Sequence, residues 1–295
     1  MEERYQIKIR NLNLARIADS GQCFRWKRME METEADGGGD VYEIPAFHRK
    51  LKVMQQGEVF TFFCGEREFH EIWENYLDLK EPYDRYLASV DENDDFLKQA
   101  SLFGGGIRIL RQEPWETAVS FLISQCNNIP RIRGCIEKLC YYFGDEKYYF
   151  PSAERLAGLK GNELECFRSR CSLGYRDEYI LNLARRVTEG SFSLEECGKL
   201  SYKECTAELR KLQGVGAKVA DCIALFGFHK IDAFPVDVHI KQILYEHYYD
   251  RELEAFSGKK QVEMMVERHF SRYSGYRGIV QQWIFAYELY RKLYS

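Results

Sequence analysis

Hydrophobic positions along this chain repeat with two different periods, and the change between them divides it. Near the start Tyr5, Ile7 and Ile9 alternate with polar residues, the period-2 pattern of a strand with one buried face. Apolar runs at 51–54 and 59–64 flank Gln56-Gly57, so a hairpin is expected there. The polar stretch 30–40 reads as a loop, 67–79 as a helix, and the Gly104-Gly105-Gly106 run as the approach to a domain boundary. From Glu113 the period becomes helical: Pro114 suits a first turn, and Trp115, Ala118, Val119, Leu122 and Ile123 follow on one face. The same spacing recurs at Ile132, Cys135, Ile136 and Leu139, stopping at Gly144. It returns at Ile180, Leu183, Ala184 and Val187, again at Val219, Cys222, Ile223 and Phe226, and through the last forty residues. The reading is α+β: a β-rich domain over 1–112, then an all-α body over 113–295, without internal repeats.

Composition narrows the class. With 295 residues, 45% hydrophobic and 15% aromatic, the chain can bury a sizeable core. No apolar run approaches the roughly 20 residues needed to span a bilayer, and the start lacks the apolar core of a signal peptide. An intracellular protein is expected, in the cytoplasm or nucleoid of a prokaryote or the nucleus of a eukaryote. Ten scattered cysteines form no C-x-x-C pair and read as free thiols, mostly core. A net charge of −4 and a pI near 6.0 argue against diffuse, charge-driven binding of nucleic acid, so any such contact must be a local site.

The densest chemistry lies in 209–239. Gly214-Val215-Gly216 joins two helices through a turn that needs φ > 0 or a missing Cβ, which suits close approach of a phosphate strand to a helix N-terminus. Lys218 falls in the first turn of the second helix, where free N–H groups and apolar neighbours disfavour its charged form, and a neutral amine is a nucleophile. Lys218 and Cys222 are four apart and share a face. Asp237 follows Pro235 where a further helix can begin, so its carboxylate can cap N–H groups and stay ionised. The plain alternative is a short αα-hairpin with a surface lysine.

Six stretches, SGQCFRW at 20–26, SQCNNIPRI at 124–132, LGYRDEY at 173–179, LQGVGAKVADC at 212–222, FPVDVH at 234–239 and VQQWIF at 280–285, occur in this order. Together they resemble the helix-hairpin-helix, Gly/Pro/Asp superfamily of DNA glycosylases, and within it the 8-oxoguanine DNA glycosylase/AP lyase family. The likeness covers nearly the whole chain. It implies an N-terminal antiparallel β domain packed on a helical glycosylase body, acting as a monomer on double-stranded DNA that contains 8-oxoguanine. It also implies a bifunctional enzyme of base-excision repair: Lys218 attacks the sugar, expels the flipped base through a Schiff base and cuts the strand by β-elimination, while Asp237 stabilises the oxocarbenium-like charge.

The same resemblance assigns the pocket. Guanine presents N7 as an acceptor and its 8-oxo form a donor, so the Gly21 carbonyl can tell them apart. Phe285 and Cys222 would sandwich the extruded base, Gln281 would bond its Watson–Crick edge, and Pro235 would line the site. Asn127, Asn128, Arg131, Tyr175 and Arg176 would fill the gap and hold the widowed cytosine, Tyr175 as the wedge. Gly214, Gly216 and His239 would contact the DNA strand. Where animal members have three asparagines, this chain has Cys126-Asn127-Asn128, which weakens the expectation of strict cytosine preference.

No cofactor or metal is expected beyond a monovalent cation on hairpin carbonyls near Leu212 and Val215. Relatives of the endonuclease III type bind an iron–sulfur cluster through four cysteines after the motif, and here Cys222 is the last cysteine. Alkylbase glycosylases of this fold typically lack the lysine. A non-catalytic module using the hairpin only as a phosphate clamp would not need Lys218 together with Asp237.

Overall fold

The computed structural model describes residues 3–30 and 39–294. Its sheet is confined to the first 62 residues: β1 (Tyr5–Lys8), β2 (Lys27–Met29), β3 (Asp40–Ala46), β4 (Arg49–Gln56) and β5 (Val59–Phe62), in the antiparallel order β1-β5-β4-β3-β2. The β4–β5 hairpin turns at Gly57, whose φ of 63° the turn demands. Along β4, Leu51 and Val53 are buried between exposed Lys50 and Lys52. With Ile44, Phe60 and Phe62 they pack on α1 (Leu14–Asp19) and on a helix running from α2 (Glu66–Glu68) through a π-turn at Phe69–Trp73 into α3 (Glu74–Tyr76). The helix expected over 67–79 is this element. The loop expected over 30–40 lies mostly outside the described residues.

Helices dominate from residue 66 onward, earlier than the expected boundary: α4 (Tyr83–Ala88) is under two turns long, and the buried face of α5 (Asp95–Gly104) is made mostly of the small residues Ala100, Ser101 and Gly104 beside Leu97, which give a weak apolar period. The glycine run closing α5 is tightly packed: a Cβ on Gly104 would stand 2.7 Å from Trp283 Cδ1, and one on Gly106 2.7 Å from Asn13 Cβ. The body continues with α6 (Pro114–Ser124), α7 (Ile129–Phe143), α8 (Ala153–Ala157), α9 (Gly161–Arg170), α10 (Arg176–Thr188), α11 (Leu194–Lys199) and α12 (Tyr202–Leu209). Then come α13 (Ala217–Gly227), α14 (Val238–His247), α15 (Lys259–Phe270) and α16 (Arg277–Tyr294). The apolar stripes anticipated on α6, α7, α10 and α13 form one core, in which Phe121 and Phe226 stack at 5.3 Å.

Polar ties join the sheet portion to the helices. Arg25 pairs with Glu116 at 2.6 Å and donates to the Tyr148 carbonyl, while burial pushes the Glu116 carboxyl up to about 7 against the pull of Arg25. Buried Asp78 accepts from Tyr83, Arg111 and His229, the last just past the end of α13. All ten cysteines are free thiols.

Candidate functional site

The hairpin forms as its glycines require, with a division of labour between them. Gly214 has φ of +81°, and a Cβ there would lie 2.3 Å from Tyr179 Cδ2, so no other residue fits. Gly216 is an ordinary extended N-cap (φ −84°, ψ 179°), so of the two glycines it is Gly214 that supplies the positive φ. No side chain caps α13 and Gly216 has no neighbour over its Cβ position, which leaves an open, exposed helix start with unpaired N–H groups. The turn closes as Val215 N–H donates to the Leu212 carbonyl at 3.1 Å.

Lys218 sits in the first turn of α13, half-buried, with Nζ 5.6 Å from the centre of the Phe121 ring. Cys222, one turn on, is fully buried; burial pushes its thiol up to about 11 while contact with Lys218 favours the thiolate. Cys222 therefore remains a neutral thiol beside the amine at physiological pH. Asp237 is the N-cap of α14, its Oδ1 accepting from Ile240 N–H at 2.8 Å. That bond fixes the carboxylate at the N-terminus of α14.

The two chain ends meet over this seam. Gly21 has φ of +75°, and a Cβ there would lie 3.4 Å from Phe285 Cε1, so the glycine and the ring of α16 are in direct apposition. Gln281, 3% exposed and one turn earlier on α16, donates to the Pro235 carbonyl at 3.3 Å and accepts from Gln282 at 3.0 Å. His239 lies edge-on to Phe285 at 6.3 Å. Gly21, Pro235, His239, Gln281 and Phe285 are thus gathered from segments far apart in the chain.

The Gly21 turn is held by residues that sequence reasoning missed. Gln22, fully buried, donates to Ser20 Oγ and the Arg108 carbonyl, accepts from Leu110 N–H, and its own carbonyl accepts from Gln112, all at 2.8–2.9 Å. Buried Arg108 anchors that strand of chain by donating to the Asp78 and Arg10 carbonyls. Nothing local in the sequence signals this, because Gln22 stands among Asp19, Ser20 and Arg25 and its backbone partners lie about 90 residues away.

A second group lies at the N-termini of α7 and α10. Asn128 caps α7 by accepting from Arg131 N–H at 3.0 Å, and Asn127 donates to the Ile123 carbonyl at 3.1 Å. Cys126 is exposed with φ of 47°, and Arg131 is exposed on the first turn of α7. Tyr175 is 53% exposed, with the Arg176 guanidinium 4.5 Å over its ring. Arg176 is 6% exposed and donates to the Gln125, Cys126 and Leu173 carbonyls. In this state its donors are engaged by backbone.

Comparison with known proteins covers nearly the whole chain. Residues 4–118 match the family described as 8-oxoguanine DNA glycosylase, N-terminal domain, and residues 119–272 that described as HhH-GPD superfamily base excision DNA repair protein. The chain is 30% identical over 269 residues to an N-glycosylase/DNA lyase of Saccharomyces cerevisiae, an alignment covering 80% of this chain and 68% of that protein. Among solved structures, MBOgg1 in complex with a low-affinity DNA ligand superposes with a TM-score of 0.84 at 34% identity, covering 99% of this chain and 96% of that one. The 8-oxoguanine glycosylase/lyase of Clostridium acetobutylicum, in complex with DNA containing cytosine opposite 8-oxoguanine, gives 0.82 at 32% identity, covering 99% and 100%. No helix among the described residues is long and apolar enough to cross a membrane.

Proposed function

Because the chain belongs to the 8-oxoguanine DNA glycosylase family of the HhH-GPD superfamily, we propose that it excises 8-oxoguanine from duplex DNA through Lys218 and then cuts the strand at the resulting site. It is a bifunctional DNA glycosylase and AP lyase of base-excision repair. The observation that carries the assignment of roles is the pairing of a half-buried amine at an uncapped helix start with a carboxylate fixed by its own helix.

The Lys218 amine, after giving up its proton, attacks C1′ of the extruded nucleotide as the base departs with the bonding electrons. The Asp237 carboxylate, fixed by its bond from Ile240 N–H, stabilises the positive charge that develops on the sugar. Ring opening gives the imine to Lys218, and loss of a 2′ proton then expels the 3′ phosphate. The open N–H groups at Gly216 and the start of α13 receive a backbone phosphate, with His239 beside them. On the other wall the Gly21 carbonyl accepts from N7–H of the lesion and repels the lone pair of normal guanine. Phe285 and Cys222 flank the base, and Gln281 exchanges its bond to Pro235 for the Watson–Crick edge. Asn127, Asn128, Arg131, Tyr175 and Arg176 occupy the opened stack.

Borohydride trapping on 8-oxoguanine duplexes tests this reading. A covalent adduct is expected with the wild type and none with Lys218→Gln, whose strand cleavage falls by at least about 10³-fold. Absence of an adduct with the wild type would sink the lysine mechanism.

A further inference from the structure

Lys218 and Asp237 stand on different elements, so their separation depends on what holds the 228–237 segment against α13. Up to Ala233 the backbone is tied by Lys230 N–H to Ala224 O and Ala233 N–H to Lys230 O, at 2.9 and 2.8 Å. From Ala233 to Asp237 it has no regular structure. Side chains take over. Arg277 clasps Asp232 through two bonds of 2.9 and 2.7 Å, and Gln281 donates to Pro235 O, both from α16.

On the hairpin side one pair faces this stretch. Tyr202, in the first turn of α12, donates to Asp221 Oδ1 at 2.7 Å, and the Phe234 backbone N–H faces the same hydroxyl oxygen. Asp221 is three residues beyond Lys218 and adjacent to Cys222. Tyr202, Lys218, Asp221 and Phe234 share the wall of one cleft of about 630 Å³. Burial lifts the Asp221 carboxyl to about 6 while Tyr202, Arg210 and Lys259 pull it back, so it is ionised at neutral pH and a strong acceptor.

We propose that Tyr202 and Asp221 are positioning residues that lock the Asp237 loop against the Lys218 helix and so set the distance between nucleophile and carboxylate. The inference rests on the function proposed above. Neither residue touches the reacting atoms; both act through Lys218 and Asp237.

Tyr202→Phe, Asp221→Ala and Asp221→Asn in the full chain separate positioning from plain stability. Single-turnover excision on an 8-oxoguanine:cytosine duplex is expected to slow between about 10- and 100-fold in Tyr202→Phe and Asp221→Ala, with duplex Kd within about 3-fold of wild type. Asp221→Asn keeps an acceptor for the hydroxyl and recovers to within about 3-fold. Unchanged rates in Tyr202→Phe, or losses matched by loss of folded protein or of DNA affinity, would overturn the proposal. Borohydride trapping on preformed abasic DNA, which needs Lys218 but no base pocket, is read in parallel. A wild type that traps there yet ignores 8-oxoguanine overturns the functional reading alone, and the trapping rates then decide the pair by the same criteria.

Discussion

The seam proposed to carry the chemistry and the surface proposed to face the opposite strand are prepared differently. Around Lys218 and Asp237 the groups are committed to their working places: the carboxylate caps α14, Cys222 is buried against the amine, and Gly214 has no alternative. At the 125–131 and 173–176 loops the polar groups satisfy each other. Arg176 donates to three carbonyls, Asn127 and Asn128 bond backbone, and Tyr175, Cys126 and Arg131 stand exposed. On the proposed roles, the enzyme is preorganised for the bond it breaks, whereas reading the partner base would require exchanging internal hydrogen bonds for new ones. Each exchanged bond nets only about 1 kcal/mol, so this surface can be remodelled without threatening the fold.

The largest test of the contrast after loss of the lysine is Asp237→Asn. Asparagine caps a helix as well as aspartate, so α14 and duplex affinity should survive while the charge at the sugar is lost. Single-turnover excision is expected to fall about 10²- to 10³-fold with Kd nearly unchanged. If DNA binding collapses instead, Asp237 belongs to the grip and the seam is not the preorganised half.

A smaller effect is expected at the join between the two. Gly21→Ala would force an alanine to φ of +75° and set its Cβ 3.4 Å from Phe285. The strain costs about 1 kcal/mol and narrows the pocket, so excision should slow roughly 10-fold with trapping on abasic DNA unchanged. Equal losses on both substrates would show that the turn supports the fold and not the base.

How legible these halves were follows the length of the contacts. The apolar stripes of α6, α7, α10 and α13 repeat over three or four turns and declare themselves locally, as does the β4–β5 hairpin. Strands β2 and β3 and helices α4 and α5 are short or lie beside polar chain, and periodicity passes over them. Asp237 as a helix cap could be read from its neighbours. The meeting of Gly21 with Phe285 came only from family resemblance, since no local pattern links residues that far apart. The Gln22 network and the Arg176 bonds to carbonyls 51 residues away were not legible at all, because a backbone acceptor has no sequence identity.

The finest test lies at Cys126, where the reading surface departs from the three asparagines of animal relatives. The residue is exposed and its φ of 47° is one that asparagine tolerates better than cysteine, so Cys126→Asn should cost no stability. It would add an amide beside Asn127 at the mouth of the gap, where a thiol donates only weakly. Preference for cytosine over adenine opposite the lesion should therefore rise by about 3- to 10-fold, through slower excision from the mismatched duplex. Trapping on abasic DNA opposite cytosine should not change, because the seam is not involved. An unchanged preference would mean that Arg131 and Arg176 alone read the partner base. The bonds of Arg176 to Gln125 and Cys126 would then be the gate that sets specificity, since they hold its Nε and Nη2 edge away from any other acceptor.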